Sequence, residues 1–498
     1  MKMKKILSIA LLSLCMTSCD LTEVLDLPPK YQADLDGAIT TPAAVELALN
    51  GVYQQMPGGN GNEIYPTVGG SFKAGVMTRP REFTAGNAVY YIERYLPLLN
   101  YSDASEWNAD YTLIKNANFL EIAVNRMNDS DFSGNRRQEV LGEIAYLRAM
   151  AYFRILNHFC EFWNENSEYG VVMRNEAPSV SNAPMARSSV ADSYKYILEQ
   201  CDIAIAKAPE FSKISQANSQ AAKALKAKVL FFAGRYAEAS AAIDAAVDTK
   251  AALKETSYAN IFDNFNNTSE IYFARVFDKN DAERAYMRES AFGNSPNMNQ
   301  GFWGPSLNFI EFVGDDPRTA TIYRNVDSLM INRNTMKLYN YQTARKCLNE
   351  ANNMPVIFSR AAELYLMKAE ALYRTNAPIA DCYAPIEKIR MRAGVTASVP
   401  ATREELEDAI FREWMIEMCF ENYHEWFAMI RFAGYDNPDF SRLLAMNYDM
   451  KNALDKEFET SDAQGEKYLQ RIKDRRIDAI PSGEISANVL CKQNPGYN

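Results

Sequence analysis

Histidine is nearly absent: His158 and His424 are the only two in 498 residues, and they stand 266 positions apart. A histidine-based zinc site or a nucleophile–histidine pair has little material to draw on. The stretch "HEWFA", from His424 to Ala428, starts like a zinc-protease helix but has Ala428 where the second histidine must be. His424 is therefore read as an ordinary helix residue. Also missing are G-x-S-x-G, a P-loop and the Rossmann glycine pattern. No catalytic residue, no metal ligand and no cofactor is expected. Paired carboxylates could serve glycoside hydrolysis, but 63 acidic residues always offer pairs and none nominates itself. Positive charge is short as well, 53 Lys and Arg giving a net −10, which disfavours binding to phosphate backbones. Past residue 16 no apolar run approaches the roughly 20 residues a bilayer requires.

Cysteine is present but unpatterned. Cys160, Cys201, Cys347, Cys382, Cys419 and Cys491 are widely scattered, without metal or disulfide-framework spacing, and read as buried small apolar residues. The other two lie at the start. Met1–Lys5 carries three lysines, Ile6–Met16 is apolar apart from Ser8 and Ser13, and small Thr17 and Ser18 precede Cys19. These are the n-region, h-region and cleavage site of a secretory signal over residues 1–18. A lipoprotein peptidase cuts before a cysteine preceded by a small residue, so Cys19, after Ser18, qualifies as the lipid anchor. Cys15, after Leu14, does not, and Met16 departs from the leucine usual in a lipobox. Acylation with more than one chain gives a stable membrane anchor, with residues 19–40 as a tether. Losing residues 1–18 removes three lysines and no acid, leaving a charge of −13.

Hydrophobic residues make up 47% of the chain, ample for a large core. Apolar residues recur at helical period at Leu141, Ile144, Ala145, Tyr152, Ile155, Leu156 and Phe159, and again from Val190 to Ile205, closed by Pro209. Between Ala217 and Val247 the stripe breaks at Gly234 and resumes, a helical hairpin whose "GRYAEA" is similar to a tetratricopeptide turn. A second hairpin runs from Phe358 to Ile389, about 140 residues on, so the two do not form one tandem array. A long helix opens at Thr402, with Glu405 completing a capping box, and is expected to run on through "IFREWMIEMCFENYHEWFAMIR".

Two stretches do not read as helices. Residues 57–100 hold seven glycines between Gly58 and Gly86, with Arg79, Arg81, Tyr90 and Tyr91. Residues 286–318 are rich in Gly, Pro and Asn around Phe302 and Trp303. Long loops on a helical body are where binding residues collect, and aromatic faces beside hydrogen-bonding side chains suit the apolar faces and polar rims of sugars. Arg79, Arg81, Tyr90, Tyr91, Phe302 and Trp303 are accordingly the expected ligand-binding residues. Trp107, Trp163, Trp414 and Trp426 lie in or beside helical patterns and are expected to pack.

Taken in order, these segments resemble the SusD/RagB family of outer-membrane nutrient-binding lipoproteins. "SCDLTEVLDLPP" and "TTPAAVELALNGVYQQM" are similar to its lipidated start and first helix, and "GEIAYLRAMAYFRILNHF" and "SSVADSYKYILEQCDIAIAKAP" to two later helices. "AAKALKAKVLFFAGRYAEA", "SEIYFAR", "DDPR", "SRAAELYLMKAEALYR", "IEKIRMRAGV" and the closing "AIPSGEISANVLCKQNPGYN" continue the match. The chain departs from it at Phe420–His424, where the family usually has Phe-Glu-Gly-x-Arg, and near Phe427, where an Asp is usual. The resemblance implies an all-α fold, an α-superhelix with four tetratricopeptide-like helix pairs and a loop-rich ligand-binding half, forming a single domain over residues 41–498. It also implies a non-enzymatic, surface-exposed lipoprotein of the outer membrane that captures oligosaccharides for a SusC-like TonB-dependent β-barrel transporter. An oligopeptide receptor like RagB is the alternative within the binding class. A lipid-anchored hydrolase and a pure scaffold protein are the alternatives outside it.

Overall fold

The computed structural model describes residues 39–57, 64–78, 104–176, 184–250, 253, 257–277, 304–331, 334–347, 355–396, 398–446, 470 and 472–497, with residues 64–68, 326–341 and 347 described by backbone alone. Most of these residues are helical. The first described helix, α1 (Pro42–Gln54), starts where the Thr41 hydroxyl accepts the Ala44 N–H and Pro42 fills the first turn, where a missing N–H costs nothing. α2 (Ile64–Lys73) and the two-residue strand β1 (Met77–Thr78) follow. Both fall inside the stretch 57–100 expected as loop, whose glycines concealed a helix.

α3 (Ala104–Asn125) and α4 (Arg136–Phe159) pack together, and α4 is buried all round from Val140 to Phe159, as a central core helix must be. α5 (Val190–Lys207) packs on α4. The approach is so close that a Cβ on Gly142 would overlap the backbone of Ala208. α6 (Ser219–Phe232) and α7 (Tyr236–Ala246) form the first expected hairpin, capped by Asn218 and turned at Gly234, whose φ of 73° favours glycine.

After β2 (Ile271–Arg275), β3 (Gly304–Pro305) and α8 (Leu307–Val313), strands β4 (Tyr323–Ile331) and β5 (Asn334–Ala344) form an antiparallel hairpin absent from the sequence reading. Alternate β-formers at Tyr339, Tyr341 and Thr343 carry its signal. Residues 307–313 are thus helical, although they lie in the second stretch expected as loop. β6 (Val356–Arg360) pairs with β2, so Phe358 belongs to a strand and the second helical hairpin starts three residues later. Its arms are α9 (Ala361–Arg374) and α10 (Ile379–Arg392). The hairpins are distant in sequence but touch in space, α7 lying on α9, with Lys368 Nζ 2.5 Å from Asp244 and the Tyr365 hydroxyl donating to Asp248 O.

α11 (Arg403–Glu417) begins as expected, with the Thr402 hydroxyl accepting the Glu405 N–H at 3.1 Å. The Glu405 carboxylate reaches the N–H of Ala401 rather than that of Thr402. The expected single long helix is in fact two. It stops at Glu417, and α12 (His424–Ala433) starts after a turn in which Phe420, Asn422 and Tyr423 all have left-handed φ, from 43° to 64°. α13 (Ser441–Met446) and α14 (Ser482–Ala487) follow, and one-turn helices lie at Asn260–Asp263 and Thr319–Ile322. One contiguous core links residues from Val45 to Cys491. Trp107, Trp414 and Trp426 are buried in it, Trp163 packs half-buried at its edge, and Cys160, Cys201, Cys382, Cys419 and Cys491 are buried free thiols.

Candidate ligand-binding site

Cys19, Arg79, Arg81, Tyr90, Tyr91, Phe302 and Trp303 all lie outside the described residues. What the structure does define is where the segments carrying the last six begin. β1 and β3 pair antiparallel, Met77 opposite Pro305 and Thr78 opposite Gly304. The next residue after Thr78 is Arg79, and the residue before Gly304 is Trp303. Facing residues of such a ladder stand about 5 Å apart, so Thr78 and Gly304, more than 200 residues apart in sequence, lie side by side.

Local chemistry explains why they meet there. The Ser306 N–H donates to Val76 O at 2.8 Å, and the Ser306 hydroxyl accepts the Phe309 N–H at 3.1 Å, so one serine closes the ladder and caps α8. Gly304 presses against β5, where a Cβ would overlap Gln342 O. Only glycine permits that approach, which brings the β4–β5 hairpin to the same place. Asn308 Nδ2 donates to Ala445 O at 2.8 Å and to Met446 O at 3.2 Å, tying the end of α13 to α8. Beside the ladder Leu307 is 77% exposed, a large apolar side chain facing solvent that sequence reasoning missed.

The body also holds a buried ion network. Arg318 pairs with Asp316 (2.8 Å), Glu413 and Glu417 (3.0 Å). Arg360 pairs with Glu270 (2.8 Å), Glu417 (2.8 Å) and Glu421 (2.9 Å). Arg392 reaches Glu270 and Glu417, Arg390 reaches Glu413, and Lys346 reaches Glu421 at 2.6 Å. Burial works to raise the Glu417 carboxyl, but Arg392, Arg360 and Arg318 outweigh it and hold the group well below the usual carboxylate range. These acids are buried and engaged by cations, which suits a scaffold that fixes α9, α10 and α11 to β2 and β6. The departure at Phe420–His424 leaves this pairing intact, since Glu421 is held by Arg360 and Lys346.

A cavity of about 50 Å³ between α4, α6 and β6 is lined by Arg154, Asn157, His158, Lys228, Ser359 and Asn422, among others. It has room for a few waters, not for a sugar ring. His158 and His424 are buried and pushed well below the usual histidine range by burial and then by neighbouring cations, Arg154 beside His158 and Lys228 beside His424. Among the described residues no cluster of His, Cys, Asp and Glu has the arrangement of a metal site, and no helix is long and apolar enough to cross a membrane.

Comparison with known proteins turns this geometry into a family. A profile described as the SusD family matches residues 310–497, and one described as starch-binding and associating with the outer membrane matches residues 34–231. The chain belongs to the SusD/RagB family. Solved structures with this fold include a putative sugar-binding protein from Bacteroides vulgatus, 19% identical, covering 93% of this chain and 100% of its own, with a TM-score of 0.68. A SusD superfamily protein from Bacteroides thetaiotaomicron is also 19% identical, covers 91% and 100%, and has a TM-score of 0.67. A laminarin-binding SusD-like protein is 18% identical, covers 92% and 100%, and has a TM-score of 0.62. No curated protein matches the chain. The all-α class expected from the resemblance is the fold these relatives share. Of the two family profiles, the first ends at 497 and the second begins at 34, so the span between α1 and the last described residue lies within family territory apart from residues 232–309.

Proposed function

We propose that this protein is a surface-exposed, lipid-anchored protein of the outer membrane that captures oligosaccharides and passes them to a SusC-like TonB-dependent β-barrel transporter. Cys19 carries the lipid, and the segments bearing Arg79, Arg81, Tyr90, Tyr91, Phe302 and Trp303 hold the ligand. The observation that supports this most is the β1–β3 ladder, because it starts both aromatic segments at one place on the body. Family membership, and a relative whose name states that it binds laminarin, favour a glycan over other ligands. Stacking on aromatic faces is the physical basis for such binding, and the exposed side chain of Leu307 adds apolar area beside the ladder.

The test is calorimetric titration of the chain from Asp20 onward with laminarin, starch and other glycan oligomers and with mixed peptides. Micromolar binding to one glycan class is expected, with at least a tenfold loss, about 1.4 kcal/mol, when Trp303 or Phe302 is replaced by Ala. Heat from peptides with silence on glycans would replace this reading with an oligopeptide receptor. Unchanged affinity after alanine replacement at Arg79, Arg81, Phe302 and Trp303 would overturn the site assignment.

A further inference from the structure

The turn between α11 and α12 is costly as built. Three of its six residues, Phe420, Asn422 and Tyr423, hold left-handed φ without being glycine, a conformation that side chains disfavour sterically. Such a conformation persists only where its surroundings over-determine it. Here Asn422 Nδ2 donates to Ile357 O, Glu421 is clamped by Arg360 and Lys346, and the Phe420 N–H donates to Glu425 Oε1. The ion network therefore fixes the turn, and the turn presents Tyr423 to α2.

Four residues of α2 answer it. Gly69 and Gly70 lie flat against Tyr423, where a Cβ on Gly69 would overlap the phenol and a Cβ on Gly70 the Tyr423 Cα. The Ser71 hydroxyl donates to Glu425 Oε1 at 2.7 Å, both groups fully buried. Lys73 Nζ pairs with Asp478 at 2.6 Å and lies 5.5 Å from the centre of the Tyr423 ring and 5.9 Å from that of Trp426. A helix held at a glycine pair, a buried hydrogen bond and an ion pair can neither rotate nor slide by a residue, since one step means about 1.5 Å and 100°. Beyond Lys73 the chain is tied straight back to the helix, Ala74 N–H to Gly70 O and Val76 N–H to Ser71 O, and β1 begins at Met77.

We propose that the turn at 420–423, together with the start of α12, is a keyed seat for α2, and that Tyr423 and Glu425 act through it as positioning residues for the β1–β3 ladder and hence for ligand capture. The link to capture rests on the function proposed above; the link to the ladder does not. In unliganded protein, hydrogen-exchange mass spectrometry of Gly69→Ala is expected to raise exchange about tenfold in peptides carrying Val76 and Ser306, while α6–α7 peptides stay unchanged. Tyr423→Ala, which removes the ring against which Gly69 and Lys73 lie, is expected to raise exchange in the same two peptides. Should Gly69→Ala fail to fold, Ser71→Ala tests the same seat by removing the bond to Glu425. Unchanged exchange at the ladder in the folded variants would overturn the seat. Laminarin oligomers serve as the binding probe. If the wild type binds them, the ladder-loosened variant is expected to lose at least fivefold in affinity, and unchanged affinity would overturn the link to capture. If the wild type binds no glycan, the function proposed above and the link to capture fall together, and exchange alone decides the seat.

Discussion

Burial pushes the Glu425 carboxyl up to about 7, against the Ser71 and Phe420 hydrogen bonds and Lys346, all of which favour its ionised form. An acid whose folded-state value is raised contributes stability that is complete below its unfolded value, near 4.5, and lost as pH rises to about 7. Glu425→Gln keeps the acceptor oxygen and removes the titration. The variant is expected to gain on the wild type between pH 5 and pH 8, by on the order of 3 kcal/mol, read from urea unfolding at each pH. His158 and His424 act on the other limb. They are neutral in the fold, so stability falls as pH drops below about 6.5, where the unfolded chain takes up protons. That limb is expected to be the same in both proteins. Arg360 is the second decisive residue. Buried and bonded to Glu270, Glu417 and Glu421, it cannot be removed without leaving acids short of a partner. Arg360→Met is expected to cost about 3–5 kcal/mol, seen as a lowered urea midpoint.

Two glycines show how elements are joined by different physics. At Gly234 a Cβ would meet nothing within 4 Å, but φ is 73°, so Gly234→Ala strains only the backbone of the α6–α7 turn and is expected to cost about 1 kcal/mol. At Gly142 a Cβ would run into the backbone at Ala208, and backbone cannot step aside as a side-chain end can. Gly142→Ala has to push α5 away from α4 and is expected to cost about 2–3 kcal/mol. Thermal melts of the two variants should rank in that order, and equal losses would mean that the α4–α5 contact yields more easily than its geometry implies. The helices α4, α5, α6, α7, α9 and α10 were legible because each buries one stripe, or its whole surface, at the helical period. The break between α11 and α12 was not legible. "IFREWMIEMCFENYHEWFAMIR" brings apolar residues round at helical spacing and holds no Gly or Pro, so nothing local tells a helix to stop at Glu417. The stop is imposed by distant Arg360, Lys346 and Glu270.

For the molecule as a whole, the proposed location has a direct test. Cys19→Ala expressed with the native signal is expected to move from the detergent-soluble membrane fraction to the aqueous one, while the chain from Asp20 onward keeps its melting temperature. A variant that stays with the membrane would remove the lipid anchor from the proposal. The ladder between β1 and β3 belongs to this scale too, since it joins residues 78 and 304 through a contact that no window of sequence contains.

By itself the sequence determined the class of the molecule: helical periodicity specifies helices, hairpin turns need Gly234, and scarce histidine leaves little for metal or triad chemistry. The ordered motifs pointed to the SusD/RagB family. Only the tertiary structure decided which elements meet. It set α7 on α9 across about 140 residues, hid a helix among the glycines of 64–73, split the helix after Glu417, and brought Thr78 beside Gly304. These outcomes depend on pairings between residues far apart in the chain, where ion pairs, close backbone approaches and buried hydrogen bonds override local preference.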